Sequence, residues 1–142
     1  MRHAEAAEQA AFVTWCRLTP GAATIFAIAN GGKRRLLEAV RLRNEGVLPG
    51  VPDLMLPVAC GGAHGLFVEM KSATGTLSAE QSKRLSELAA SGYVAAACWS
   101  AVDAIALTKQ YLAHELPAGL YGSRPKLVKP RQPRGAAKAG RP

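Results

Sequence analysis

Residues 50–71 constrain the chain more than any other stretch. They read Gly50-Val51-Pro52-Asp53-Leu54-Met55-Leu56-Pro57-Val58-Ala59, then a glycine-rich bend, then Gly65-Leu66-Phe67-Val68-Glu69-Met70-Lys71. Residues 54–58 and 66–68 are short apolar runs bounded by glycine and proline, the pattern of β-strands. The intervening Ala59-Cys60-Gly61-Gly62-Ala63-His64-Gly65 is turn-like in composition. Folding back about Gly62 makes an antiparallel hairpin and brings position 53 opposite positions near 71. Strand side chains alternate, so Glu69 and Lys71 share one face and Met70 takes the other. Two carboxylates and an ammonium therefore gather at one end of the hairpin.

The rest of the chain offers this cluster one domain to sit in. Its 142 residues, 49% of them hydrophobic, are enough for a single core. No apolar run approaches the ~18–20 residues that span a bilayer, and the first residues carry Glu5 and Glu8 rather than a signal-peptide layout. Cys16, Cys60 and Cys98 have no metal-ligand spacing. They read as small buried thiols of a reduced, cytoplasmic protein.

Charge is concentrated at one end. Residues 1–122 are nearly neutral, with 11 basic and 10 acidic residues, whereas residues 123–142 hold seven cations and no acid. A basic arm of this kind points to an anionic partner, most simply nucleic acid, with Lys126, Lys129, Arg131 and Arg134 among its phosphate contacts. A solubilising tail is the plainer alternative.

Periodicity predicts a helix over residues 4–18, stopped by Pro20-Gly21, and a strand over 25–29 ended by Asn30-Gly31-Gly32. A second helix opens at Lys33-Arg34-Arg35, with Leu36, Leu37, Val40 and Leu42 on its apolar side and Gly46 beyond its end. Three cations at a helix start oppose the dipole, which a nearby phosphate would explain. After the hairpin, Ser78-Ala79-Glu80-Gln81 is a capping box. It opens a helix to about residue 90, with Leu85, Leu88 and Ala89 inward and Lys83, Arg84 and Glu87 outward. Residues 93–99 form a strand buried on both faces. A last helix runs from about residue 100 to 116, where Pro117 ends it. The order α-β-α-β-β-α-β-α is an α/β domain of about four strands with helices on its faces. Proline, glycine and cations then mark residues 118–142 as a tail of disordered type, with room for local packing over residues 119–128. The expected division is a domain over 1–117 and a tail over 118–142.

Paired carboxylates do not stay comfortably ionised without a cation. Oxygen ligands suit Mg²⁺ or Mn²⁺, and Asp53, Glu69 and the Met70 carbonyl are such ligands. Lys71 would hold an attacking water or a phosphate. Together they form an apparatus for metal-assisted phosphodiester hydrolysis. Each residue also has a plainer role, Asp53 in a turn and Glu69 with Lys71 as a solvent-facing pair.

In the order Pro52-Asp53 then Glu69-Met70-Lys71, the chain resembles the PD-(D/E)xK nuclease superfamily. Several further motifs are similar to its VRR-NUC branch, in the short stand-alone form typical of phages and prophages: Glu8-Gln9, Asn30-Gly31-Gly32-Lys33-Arg34, Gly46-Val47, Gly75, Ser78-x-x-Gln81 and Gly92-Tyr93. The likeness spans roughly residues 5–112. It implies a restriction-endonuclease-like mixed sheet and a Mg²⁺- or Mn²⁺-dependent DNA endonuclease in the host cytosol. It also implies roles: Asp53 and Glu69 as metal-binding acids, Lys71 as catalytic lysine, and Glu8 as the first helix's acid, with Glu5 as its alternative one turn earlier. Gln81 is a polar residue near the site, or else only a capping residue. Asn30, Lys33 and Arg34 form a loop that approaches phosphate, or else a turn and a solvated helix start. Stand-alone members look like Holliday-junction resolvases, which implies a homodimer acting on branched DNA. The rival expectation is a nucleic-acid-binding module that keeps the fold with weak or lost catalysis.

Overall fold

Three neighbouring strands run parallel and end at one rim of a mixed sheet, and that rim organises the molecule. In a computed structural model that describes residues 2–29, 36–124 and 126–128, the elements are α1 (Arg2–Arg17), β1 (Phe26–Ala27), α2 (Leu36–Asn44), β2 (Leu54–Leu56), β3 (Leu66–Met70), α3 (Ala79–Ala90), β4 (Val94–Cys98), α4 (Ala101–Leu112), β5 (Tyr121–Ser123) and β6 (Lys126–Val128). The six strands lie in chain order. β1, β2 and β3 pair antiparallel, β3, β4 and β5 parallel, and β5 and β6 antiparallel. The carboxyl ends of β3, β4 and β5 therefore share one rim with the amino end of β2, where Asp53 stands.

Helices cover both faces, as parallel strands require. On one face α1 and α4 pack over Leu54, Leu56, Leu66, Val68, Met70 and Val94, with Phe12, Cys16, Leu107 and Tyr111 supplied from above. On the other, α3 covers a smaller cluster of Phe67, Leu85, Ala95 and Ala97. β4 is buried along its whole length, and its alanines let helices approach from both sides. All three cysteines are buried free thiols. Burial pushes Cys16 up to about 11 and Cys98 up to about 12.

The expected four-stranded core is present, and β5 and β6 enlarge it past residue 117. Composition hid them because each strand has three residues, with Gly122 inside β5 and a proline in the sequence between the two. They pair because β4 would otherwise leave a buried edge with open backbone groups. The first helix runs two residues further toward the amino end than expected, the first strand shrinks to two residues, and the last helix stops at Leu112. α2 has no buried residue: Leu36 is 80% and Leu37 84% exposed, so its expected apolar side is not a core face here. Phe12 is core and Trp15 packs partly against it. Asn30, Lys33, Arg34, Lys129, Arg131 and Arg134 lie outside the described residues, while Lys126 contributes its backbone to β6.

The hairpin departs from expectation in a way that sets the site. The turn is Gly61-Gly62, with φ of 58° and 83°, closed by reciprocal Cys60 and Ala63 backbone bonds of 3.1 and 2.9 Å. Positive φ at both central positions is what a two-residue hairpin turn demands, and glycine meets it without strain. Strict pairing from that turn would place Asp53 opposite Met70. Residues 57–59 instead face only residues 64–65, one extra residue on the first strand. The ladder resumes as Leu56↔Leu66 and Leu54↔Val68. One step further, Asp53 stands across from Glu69 rather than near Lys71. The extra residue restores the parity that keeps both carboxylates on one face.

Candidate active site

Asp53 is held from both sides. Its carbonyl accepts the Ile28 N–H at 2.7 Å, and its Oδ2 accepts the Met70 N–H at 2.8 Å. The loop before it is pressed against the start of α3, where Arg84 Nε donates to the Pro49 carbonyl at 3.1 Å. Arg84 thus faces inward, contrary to its expected outward position, because that carbonyl offers it a partner. Gly50 makes the approach possible: at φ 82°, a Cβ there would lie 2.8 Å from the Glu80 backbone.

Glu69, only 3% exposed, is the next-to-last residue of β3, on the α3 face. Its carboxyl lies near that of Asp53, and each acts on the ionisation of the other. Burial raises Glu69 first, to about 8, and the charge of Asp53 adds to the rise. Burial also raises Asp53, against the lowering effect of the Met70 N–H. Lys71 Nζ lies 3.7 Å from Glu69 Oε1 and favours ionisation of both acids. The pair is therefore a low-dielectric site of high negative potential when both acids are ionised.

Gln81 resolves a choice that the sequence left open. Its Oε1 accepts the Ser78 N–H at 2.9 Å, completing the capping box, and also accepts Lys71 Nζ at 2.8 Å. Its Nε2 donates to Glu69 Oε1 at 3.0 Å. An amide oxygen has two lone pairs and the nitrogen two hydrogens, so one side chain fills both roles. Trp99 closes the same corner by donating from Nε1 to the Gly75 carbonyl at 2.6 Å, which steadies the loop between Lys71 and Ser78. Nothing in the sequence links Trp99 to Gly75, since the contact exists only because β4 ends beside that loop.

Glu8 is not with the carboxylates. Its Oε2 accepts the Ala101 N–H at 2.5 Å, at the amino end of α4. Glu5, one turn earlier, is the α1 acid whose charge bears on the pair, raising both Asp53 and Glu69. The correction follows from helix geometry. Residues 5, 8, 12 and 16 share a face, and at Glu8 that face meets the amino end of α4. Met70 is fully buried on the core side, with its N–H engaged by Asp53.

These donors fit a hard dication. They are oxygen atoms, two of them on carboxyls that burial and mutual repulsion hold away from full ionisation, a condition that a cation relieves. Among the described residues, no three His, Cys, Asp or Glu side chains are gathered at metal-ligand spacing, so the Asp53–Glu69 pair is the nucleus of the site and Glu5 stands outside it.

The order of acids and lysine, with the fold around it, can now be set beside known proteins. A model of the VRR-NUC domain matches residues 1–102. This chain belongs to the VRR-NUC family. A solved structure described as a VRR_NUC domain protein is 26% identical, with a TM-score of 0.68 over 78% of this chain and 88% of that one. No curated protein matches the chain. VRR-NUC proteins are nucleases of PD-(D/E)xK type, typically metal-dependent. Among the described residues no helix is long and apolar enough to cross a membrane.

Proposed function

We propose that this VRR-NUC chain is a Mg²⁺- or Mn²⁺-dependent DNA endonuclease that cuts branched or otherwise structured DNA as a homodimer. The observation that carries the reading is the buried Asp53–Glu69 pair, locked by the Met70 N–H and Gln81 beside the Lys71 ammonium. Asp53 and Glu69 would hold the dication, with the Met70 carbonyl as a further oxygen donor beside them. The dication, when bound, supplies Lewis acidity and a water of lowered pKa.

The chain's own groups do the rest. Gln81 orients Glu69 and Lys71 at once, so the carboxylate and the ammonium keep a fixed relation before substrate arrives. Lys71 is a point-charge donor aimed where negative charge grows on a phosphodiester. Met70 N–H stabilises ionised Asp53. The basic residues after β6 would add phosphate contacts that carry no sequence information. Val128 pairs with Tyr121, at the end of the sheet opposite the rim.

The test is incubation of the protein with a four-way junction, a duplex and a single strand, in Mg²⁺, Mn²⁺ or EDTA, with the oligomeric state measured by size. Cleavage of the junction with either cation, and none in EDTA, is expected. Cleavage that persists in EDTA, or in a Glu69→Ala variant, contradicts the mechanism. Binding without cleavage under every cation supports a binding module instead.

A further inference from the structure

Lys71 and Gln81 are joined along the chain by one loop, residues 72–78, between the end of β3 and the start of α3. Both ends of the loop are fixed. Lys71 N–H donates to the Cys98 carbonyl at 2.9 Å, and Ser78 caps α3. Between them Ser72 is buried and its carbonyl takes the Gly75 N–H at 2.9 Å, while Ala73, Thr74 and Thr76 are exposed. That turn is tight: a Cβ on Gly75 would lie 3.2 Å from Ser72 Oγ and 3.3 Å from the Ser72 carbonyl oxygen. The Gly75 carbonyl in turn receives Trp99 Nε1–H at 2.6 Å, from 24 residues away. The Trp99 ring packs against the smaller core cluster, as Leu77 of the same loop does. Two consecutive residues beside the end of β4 thus grip the loop at two points, Cys98 by its carbonyl and Trp99 by its ring.

We propose that Trp99 is a positioning residue for cleavage: by holding the Gly75 carbonyl it sets the place of Ser78 and, through it, of Gln81, the side chain that joins Lys71 to Glu69. This rests on the reading of that corner as the catalytic site of a nuclease. Ser78 N–H donates to Gln81 Oε1 at 2.9 Å, and the same oxygen takes Lys71 Nζ at 2.8 Å. A shift of the loop moves the first donor and leaves the second tied to β3, so one amide oxygen no longer serves both. With three of its residues exposed, the loop has little packing in its middle to resist such a shift. An indole suits the task, because its ring is rigid and its single N–H finds one directional partner. A displacement of about 1 Å among groups that act on a substrate costs up to about 10²-fold in rate.

The experiment compares the wild-type full chain with Trp99→Phe, which keeps the packed ring and loses the donor, with Gln81→Ala, and with the double variant. The readouts are kcat and KM in Mn²⁺ for the DNA form cut fastest, and hydrogen exchange along the chain. Trp99→Phe is expected to lower kcat about three- to tenfold, the weight of one hydrogen bond, with KM within about twofold of wild type. Amide exchange should quicken in residues 72–81 and stay as it is in α1 and α4. In the Gln81→Ala background the loss from Trp99→Phe should shrink to less than about twofold. The Trp99 indole N–H of the wild type, read by NMR, should be protected from exchange, and a freely exchanging one overturns the proposal whatever the variants do. Losses that multiply in the double variant, a changed KM at wild-type kcat, or quickened exchange with both constants unchanged overturn the positioning role and leave the nuclease reading intact. A wild-type chain that cuts no DNA form in Mn²⁺ or Mg²⁺ removes that reading, and the proposal with it.

Discussion

The two faces of the sheet are built differently. Under α1 and α4 lies a broad hydrocarbon layer that includes Leu54, Leu56, Leu66, Val68, Leu107 and Tyr111. Under α3, among the described residues, only Phe67, Leu85, Ala95 and Ala97 form the buried apolar cluster, and the same face ends in Glu69, Lys71 and Gln81. The thick face supplies stability that the thin face can give up. Burying Glu69 beside Asp53 costs free energy, and that is tolerable only where packing elsewhere compensates. The division also explains why α3 opens with a two-way amide: the helix must both stop its own amides from being stranded and hold the polar corner.

Several measurements can break or sharpen that contrast. Lys71→Ala should lower cleavage by about 10²–10³-fold, the scale for removing one donor aimed at developing charge. Its melting temperature should barely move, and a folded variant that still cuts at the wild-type rate would take the ammonium out of the chemistry.

Truncating the thick face should hurt stability alone. Leu107→Ala removes a fully buried side chain and should cost about 2–5 kcal/mol in urea unfolding, with wild-type cleavage while folded. Leu85→Ala, on α3 behind Gln81, should lower both. Equal losses of cleavage from the two variants would mean that the faces do not divide the labour.

Metal-free stability should depend on pH through the carboxylate pair. Both acids bind protons more tightly in the folded chain than in the unfolded one, so stability from this source is fully present below about pH 4.5 and is lost as pH rises toward about 8. Melting temperature without metal should fall across that window. Added Mn²⁺ should restore it most at the alkaline end, and Glu69→Gln should flatten the metal-free curve. A fall with pH that survives in Glu69→Gln would assign the effect to other groups.

The smallest effect belongs to the cap. Ser78→Ala removes the Oγ that accepts the Gln81 N–H at 3.1 Å and should cost about 1 kcal/mol. Cleavage should change little, because Lys71 and Glu69 still hold the Gln81 side chain. A large loss of cleavage would show that the cap, rather than the polar corner, sets the amide.

Much of this was legible beforehand, for identifiable reasons. Alternation along residues 66–70 and the turn glycines announce the hairpin, and Ser78-x-x-Gln81 announces the α3 start, because both signals are local. Glu5 against Glu8 was not legible: they differ by one turn on one helix face, and only the position of α4 separates them. α2 misled because Leu36, Leu37 and Val40 have helical spacing, yet a stripe is buried only if something packs on it. Arg84 looked solvent-facing until the Pro49 carbonyl came beside it.

The sequence by itself determined that two acids and a lysine would meet at a hairpin end inside an α/β sheet. Period-two alternation and glycine at the turn are properties of short stretches, and they survive in any fold that keeps those strands. Tertiary structure alone decided which atoms face each other. The one-residue surplus over residues 57–59 moved Asp53 across from Glu69, α4 drew Glu8 away from the site, and the return of α3 over β3 let Gln81 serve helix and carboxylate together. Such choices depend on hydrogen-bond geometry at the scale of an ångström between residues far apart in the chain, which spacing along the chain does not encode.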